Sequence, residues 1–161
     1  MSAQIFEDIA EFAQALPVMT SIAGLDFGDK TIGVAVSDRF RSISSSAMTV
    51  RRKKFTLDAQ ELIKVFAERE IGGVVLGLPR NMDGSEGPRC QKTRAFARNL
   101  SQLIEQPITY WDERLSSVAA DRVMLEADMS RAKRAEKIDQ VAAGLILQGA
   151  LDRLGHLKAQ A

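Results

Sequence analysis

The chain predicts an α/β fold, a mixed five-stranded sheet flanked by helices. Three observations carry this expectation. Two short apolar runs, residues 22–25 and 32–36, are separated only by a turn at Gly28-Asp29, which is the pattern of an antiparallel hairpin. Gly72-Gly73-Val74-Val75-Leu76-Gly77-Leu78 is apolar throughout and stopped by Pro79, as in a strand covered on both faces. Stripes of helical period then alternate with the later strands, giving the order β-β-β-α-β-α-β-α of a mixed sheet covered by helices.

Taken in order, residues 1–19 read as a helical extension. Ile5, Ile9, Phe12 and Leu16 recur at helical spacing and Pro17 closes the segment. The hairpin follows, and residues 47–50 form a weaker third strand. Phe55, Ala59, Leu62, Ile63 and Phe66 mark a helix with one apolar stripe. After the buried strand, residues 80–88 form a loop containing Asp83-Gly84 and Gly87-Pro88. Phe96, Leu100, Leu103 and Ile104 stripe the next helix, and residues 107–111 form a last strand ended by Asp112-Glu113-Arg114. Two helical segments complete the chain, residues 116–127 and 131–154, the latter striped by Ile138, Val141, Ala142, Leu145 and Gly149. Residues 20–161 are therefore expected to form one domain.

Size and composition narrow the possibilities. The 161 residues are 45% hydrophobic, enough for one adequate core. Twenty-two Lys and Arg offset 21 Asp and Glu, a net charge of +1 that neither requires nor excludes nucleic acid. The basic residues are clustered, however, at Arg51-Arg52-Lys53-Lys54 and at Arg131, Lys133, Arg134 and Lys137. A lone cysteine, Cys90, rules out an internal disulfide and a Cys-rich zinc site. The single histidine, His156, lies close to the C-terminus and argues against a Ser-His-Asp triad. There is no P-loop, and Gly24 and Gly28 do not complete a dinucleotide fingerprint. No apolar run approaches a membrane span and no signal peptide is apparent, so a cytoplasmic protein is expected.

Three acids stand where strand ends and helix starts would gather them. Asp26 interrupts an apolar strand pattern, where burial of a carboxylate is costly unless a cation or hydrogen bonds compensate it. The plain alternative is a surface Asp beside a tight turn. Glu113, with Asp112 beside it, follows the last strand. Asp139 opens the main part of the final helix, and small Ala142 and Ala143 would let that helix approach the sheet with Asp139 directed at Asp26. Converging carboxylates repel unless a divalent cation neutralises them, and an all-oxygen set favours Mg²⁺ or Mn²⁺ over zinc. Two such ions can activate water and stabilise both oxygens of an in-line phosphoryl displacement. The alternatives are an ion pair with Arg114 or a nearby basic residue for Glu113 and a helix-start acid favoured by the macrodipole for Asp139.

Four motifs resemble the YqgF family, also called RuvX. They are Gly24-Leu25-Asp26-Phe27-Gly28-Asp29-Lys30-Thr31-Ile32-Gly33, Leu76-Gly77-Leu78-Pro79 with Asp83-Gly84-Ser85-Glu86-Gly87-Pro88, Asp112-Glu113-Arg114-Leu115-Ser116, and Lys137-Ile138-Asp139-Gln140-Val141-Ala142-Ala143. The resemblance runs from about residue 22 to 154 in the right order and leaves residues 1–19 outside it. It implies an RNase H-like fold, a cytoplasmic bacterial protein and a divalent-metal-dependent endonuclease that matures the 5′ end of 16S rRNA. It also implies that Asp26, Glu113 and Asp139 are the metal-binding, catalytic acids. Thr31 departs from the family pattern, which often has arginine there.

On this basis structured RNA is the expected partner, with Lys30, Arg80, Arg89, Arg114 and Lys137 as phosphate contacts and Arg131, Lys133 and Arg134 extending them. Trp111 and Phe27 are assigned to the core rather than to base stacking. Junction-resolving cleavage of branched DNA is the same chemistry on another substrate. A nucleotide-binding ATPase of the actin and sugar-kinase type is a more distant alternative, since Asp26-x-Gly28-x-x-Thr31 resembles a phosphate-binding hairpin. A non-catalytic RNA-binding module is a third. The protein is expected to be a monomer or homodimer. Residues 128–137, dense in charge and poor in apolar anchors, are expected to become ordered on RNA.

Overall fold

The computed structural model describes residues 2–115 and 131–160, with residues 131–137 described through their backbone. The expected helix over residues 116–127 lies outside the described residues, as do residues 128–130 of the charged segment. Residues 131–137 form the first turns of a helix.

The elements are β1 (Ile5–Phe6), α1 (Ile9–Ala15), β2 (Ser21–Phe27), β3 (Thr31–Ser37), β4 (Ser44–Arg51), α2 (Phe55–Glu68), β5 (Ile71–Leu78), α3 (Pro88–Ser101), β6 (Ile108–Asp112), a 3₁₀ turn (Glu113–Leu115) and α4 (Arg131–Gln160). One sheet has the order β1-β6-β5-β2-β3-β4. The β2–β3 and β3–β4 pairs are antiparallel, and β2–β5, β5–β6 and β1–β6 are parallel. The mixed sheet is as expected, but it has six strands rather than five. Ile5 and Phe6 pair with Ile108 and Thr109 instead of continuing a helix. The helix begins only after Asp8, whose extended backbone and side chain, accepting from the Ala10 amide at 2.9 Å, form an N-cap.

Both faces of the sheet are covered, which explains the continuous burial of β2, β3 and β5. On one face, α2 and α3 bring Ala59, Leu62, Phe66, Phe96 and Leu100 against Leu25, Val34, Val74 and Leu76. On the other, α4 lays Ala142, Ala143, Ile146, Leu147 and Ala150 on Ile22, Ala35 and Val75, with Phe12 of α1 fully buried beside them. The edge strand β4 is longer than expected because its serines leave the apolar signal only at residues 47–50. The Ser44 amide donates to Gln148 Oε1 of α4 at 2.9 Å. Helix α3 stops at Ser101, so Leu103 lies beyond it and is half exposed. Among the described residues no helix is long and apolar enough to cross a membrane.

Candidate active site

The two faces are not equally close to their helices. Gly24 and Gly33 lie beneath α4, where a Cβ on Gly24 would sit 2.6 Å from Leu147 Cβ and one on Gly33 would collide with the Asp139 carbonyl. Only glycine permits this approach, and it brings the α4 backbone down onto β2 and β3 at the end where Asp26 stands. Asp26 pairs with Gly33 across the hairpin, and the Leu25–Leu76 pairing sets it beside Gly77 of β5. Asp26 shares its face with Gly24, two residues before it, and so points toward α4.

The other two acids approach the same row from either side. A Cβ on Gly77 would lie 3.5 Å from the Glu113 carboxyl carbon, which puts that carboxyl over β5. Asp139 sits over Gly33 through its backbone, while its carboxylate lies against Gly28 and accepts a hydrogen bond from the Thr31 hydroxyl. All three acids are buried, with Asp26 2% exposed and Glu113 and Asp139 8% each. Among the described residues no three His, Cys, Asp or Glu side chains are gathered into a ready-made ion site. Thr31 is the partner that the sequence did not reveal; its place after a hairpin turn was the available signal.

Asp112 and Glu113, neighbours in sequence, have different surroundings. Arg114 forks onto the Asp112 carboxylate at 2.7 and 3.1 Å, and Arg80 stands 3.9 Å from the same carboxylate. Hydrogen bonding from Arg114 holds the Asp112 carboxyl below its ordinary range. The ion pair considered for Glu113 with Arg114 is thus made by Asp112. Arg80 also pairs with Glu86 at 3.5 Å, and Arg94 joins Glu86 to Glu7 of the N-terminal segment at 2.6 and 2.7 Å. Lys30, in the hairpin turn, and Arg89, at the start of α3, are exposed. The side chains of Arg131, Lys133, Arg134 and Lys137 lie outside the described residues. Trp111 is buried, its ring 2.8 Å from where a Cβ on Gly149 would stand. Phe27 is half-buried and stacks on Phe96 with ring centroids 4.3 Å apart.

A mixed sheet with acids at one end of one face, under a long C-terminal helix, defines an RNase H-like protein. The same fold is seen in the RuvC of T. thermophilus, solved in complex with a Holliday junction substrate, with a TM-score of 0.53 at 12% identity over 84% of this chain and 96% of that one. Residues 20–153 match the family RuvX, described as Holliday junction resolvase, and the chain belongs to that family. Two curated relatives are named "Putative pre-16S rRNA nuclease". That of Rhodobacter capsulatus is 67% identical over 91% of this chain and 92% of its own, and that of Ruegeria pomeroyi is 65% identical over 95% and 99%. The chain is accordingly a nuclease, a hydrolase of phosphodiester bonds.

Proposed function

We propose that the chain is a divalent-metal-dependent endonuclease acting on structured RNA, at the 5′ end of the 16S rRNA precursor. The observation that carries the reading is the burial of Asp26, Glu113 and Asp139 on the α4 face, with Glu113 over Gly77, beside Asp26, and Asp139 over Gly33 and Gly28. The named activity of the two relatives supports the substrate.

The donor set fits Mg²⁺ or Mn²⁺, being three carboxylates with neither thiol nor imidazole among them. Asp26, Glu113 and Asp139 would hold the metal, which when bound supplies an activated water and neutralises charge on the phosphate. The chain's own contribution is to fix the carboxylates. Strand β2 sets Asp26, the 3₁₀ turn sets Glu113, and Thr31 anchors Asp139 to the hairpin. Lys30, Arg80, Arg89 and Arg114, with Arg131, Lys133, Arg134 and Lys137 of α4, are assigned to the phosphate backbone, whose neutralisation supplies most non-specific affinity. Residues 20–161 carry the nuclease site, residues 1–19 pack onto them through β1 and Phe12, and the substrate assigns the protein to the cytoplasm.

The test compares cleavage of rRNA precursor, four-way DNA junction and single strands with Mg²⁺ or Mn²⁺. Precursor cleavage is expected to dominate, and a preference for the junction would replace RNA with branched DNA as substrate. Asp26→Asn should abolish cleavage while the protein stays folded and melts slightly higher than wild type in EDTA, because one repelling charge is gone. Wild-type cleavage by that variant would overturn the metal-site assignment.

A further inference from the structure

Phe27 follows Asp26 on β2 and therefore points to the opposite face of the sheet, toward α2 and α3. Its ring is one layer of a stack. Phe96 lies beneath it at 4.3 Å, and the Arg52 guanidinium lies over its other face, 4.3 Å from the ring centroid. Arg52 is locked in place, for its Nη1 donates to the carbonyls of Gly28 at 2.9 Å and Asp29 at 3.0 Å. The stack ends in solvent at Arg52, at the mouth of a groove of about 620 Å³ that is lined also by Lys53, Phe55, Lys92 and Asn99. Of its two acids, Asp58 is buried and its carboxylate accepts the Lys53 amide at 2.9 Å, so little of it is exposed at the groove surface. Three cations and Asp29 remain at the groove surface, a net positive lining beside a planar platform.

Gly28 ties this groove to the acid site. Its carbonyl holds Arg52 on one side, and its α-carbon abuts the Asp139 carboxylate on the other. A strand crossing the hairpin turn would pass from one to the other within a single residue of the protein.

We propose that the groove binds an unpaired nucleotide next to the cleavage site, its base stacked on the outer face of Arg52 and its phosphate held by Lys53 and Lys92. Guanidinium planes and aromatic rings are the surfaces on which unpaired bases stack, and lysines meet the backbone as point charges. The proposal rests on the nuclease reading above. It adds that the substrate is duplex joined to single strand rather than duplex alone.

Binding is measured in EDTA, where no cleavage occurs, with a blunt RNA hairpin and the same hairpin carrying an unpaired tail that contains 2-aminopurine. The wild type should bind the tailed RNA about five-fold or more tightly, and the 2-aminopurine should be quenched. Arg52→Lys keeps the charge but removes the plane, so it should lose the quenching and most of the tail preference. Lys53→Ala with Lys92→Ala changes two exposed side chains with no fold at stake; it should weaken tailed binding and lower its salt slope by roughly two. Equal binding of both RNAs by the wild type, or a tail preference that survives both variants, would overturn the proposal. Cleavage of the two RNAs with Mn²⁺ separates the two claims. A wild type that cleaves but shows no tail preference sinks the groove alone, whereas a wild type with tail preference and no cleavage of any RNA sinks the RNA-nuclease assignment and leaves the groove standing.

Discussion

Thr31 does at the scale of one residue what a packed scaffold usually does, since its hydroxyl fixes the Asp139 carboxylate across a separation of more than a hundred positions. Thr31→Val keeps the shape of the β-branched side chain and removes the donor. A net hydrogen bond of roughly 0.5–1.5 kcal/mol converts to a roughly two- to ten-fold fall in kcat/KM at limiting metal. Thr31→Ser should restore most of it, and an equal loss in both variants would mean that only packing was disturbed. The sequence made Asp26 conspicuous as a charge within apolar neighbours. It could not show Thr31, because a threonine in a hairpin is ordinary by composition and its partner is supplied by tertiary packing alone. The same limit hid Asp112, whose pairing with Arg114 differs from the surroundings of Glu113 only in which way each side chain turns at the end of β6.

At the scale of elements, the hairpin, the strand at residues 71–78 and the long C-terminal helix were legible because each carries a strong period or an unbroken apolar run. Strand β1 was not. Two residues cannot show a period of two, and Ile5 falls in register with the helical stripe of α1. The pairing of β1 with β6 and the full burial of Phe12 make the N-terminal segment part of the core. Phe12→Ala should therefore cost about 3–5 kcal/mol, read as a lower denaturation midpoint; a change under about 1 kcal/mol would make the segment a mere attachment. The Glu86–Arg94–Glu7 ion pairs join the same segment to α3 and the loop after β5. Arg94 holds the Glu86 carboxyl down to about 2, below its ordinary 4.5. A depressed acid contributes stability above its unfolded pKa and loses it as pH falls toward the folded one. The melting-temperature gap between wild type and Glu86→Gln should be constant from pH 7 to about 5 and close steadily below about 4.5. A gap that widens in acid would contradict the pairing.

For the whole molecule, a net charge of +1 hides its distribution, since basic residues cluster at positions 51–54 and 131–137. Replacing Lys133, Arg134 and Lys137 together should weaken binding to many RNA sequences alike and reduce the salt slope by roughly one per lost contact. An unchanged slope would reassign that part of α4 to an ordinary solvated face.

The chain places Asp26 near its beginning and Asp139 in the helix that closes one whole face of the sheet. During synthesis, Ile22, Ala35 and Val75 wait uncovered until α4 emerges, and β1 has no partner until β6 has been made. Asp26 therefore stays uncovered until residues 131–160 have been made, so the face that carries it closes only after β2, β3 and β5 are all in place.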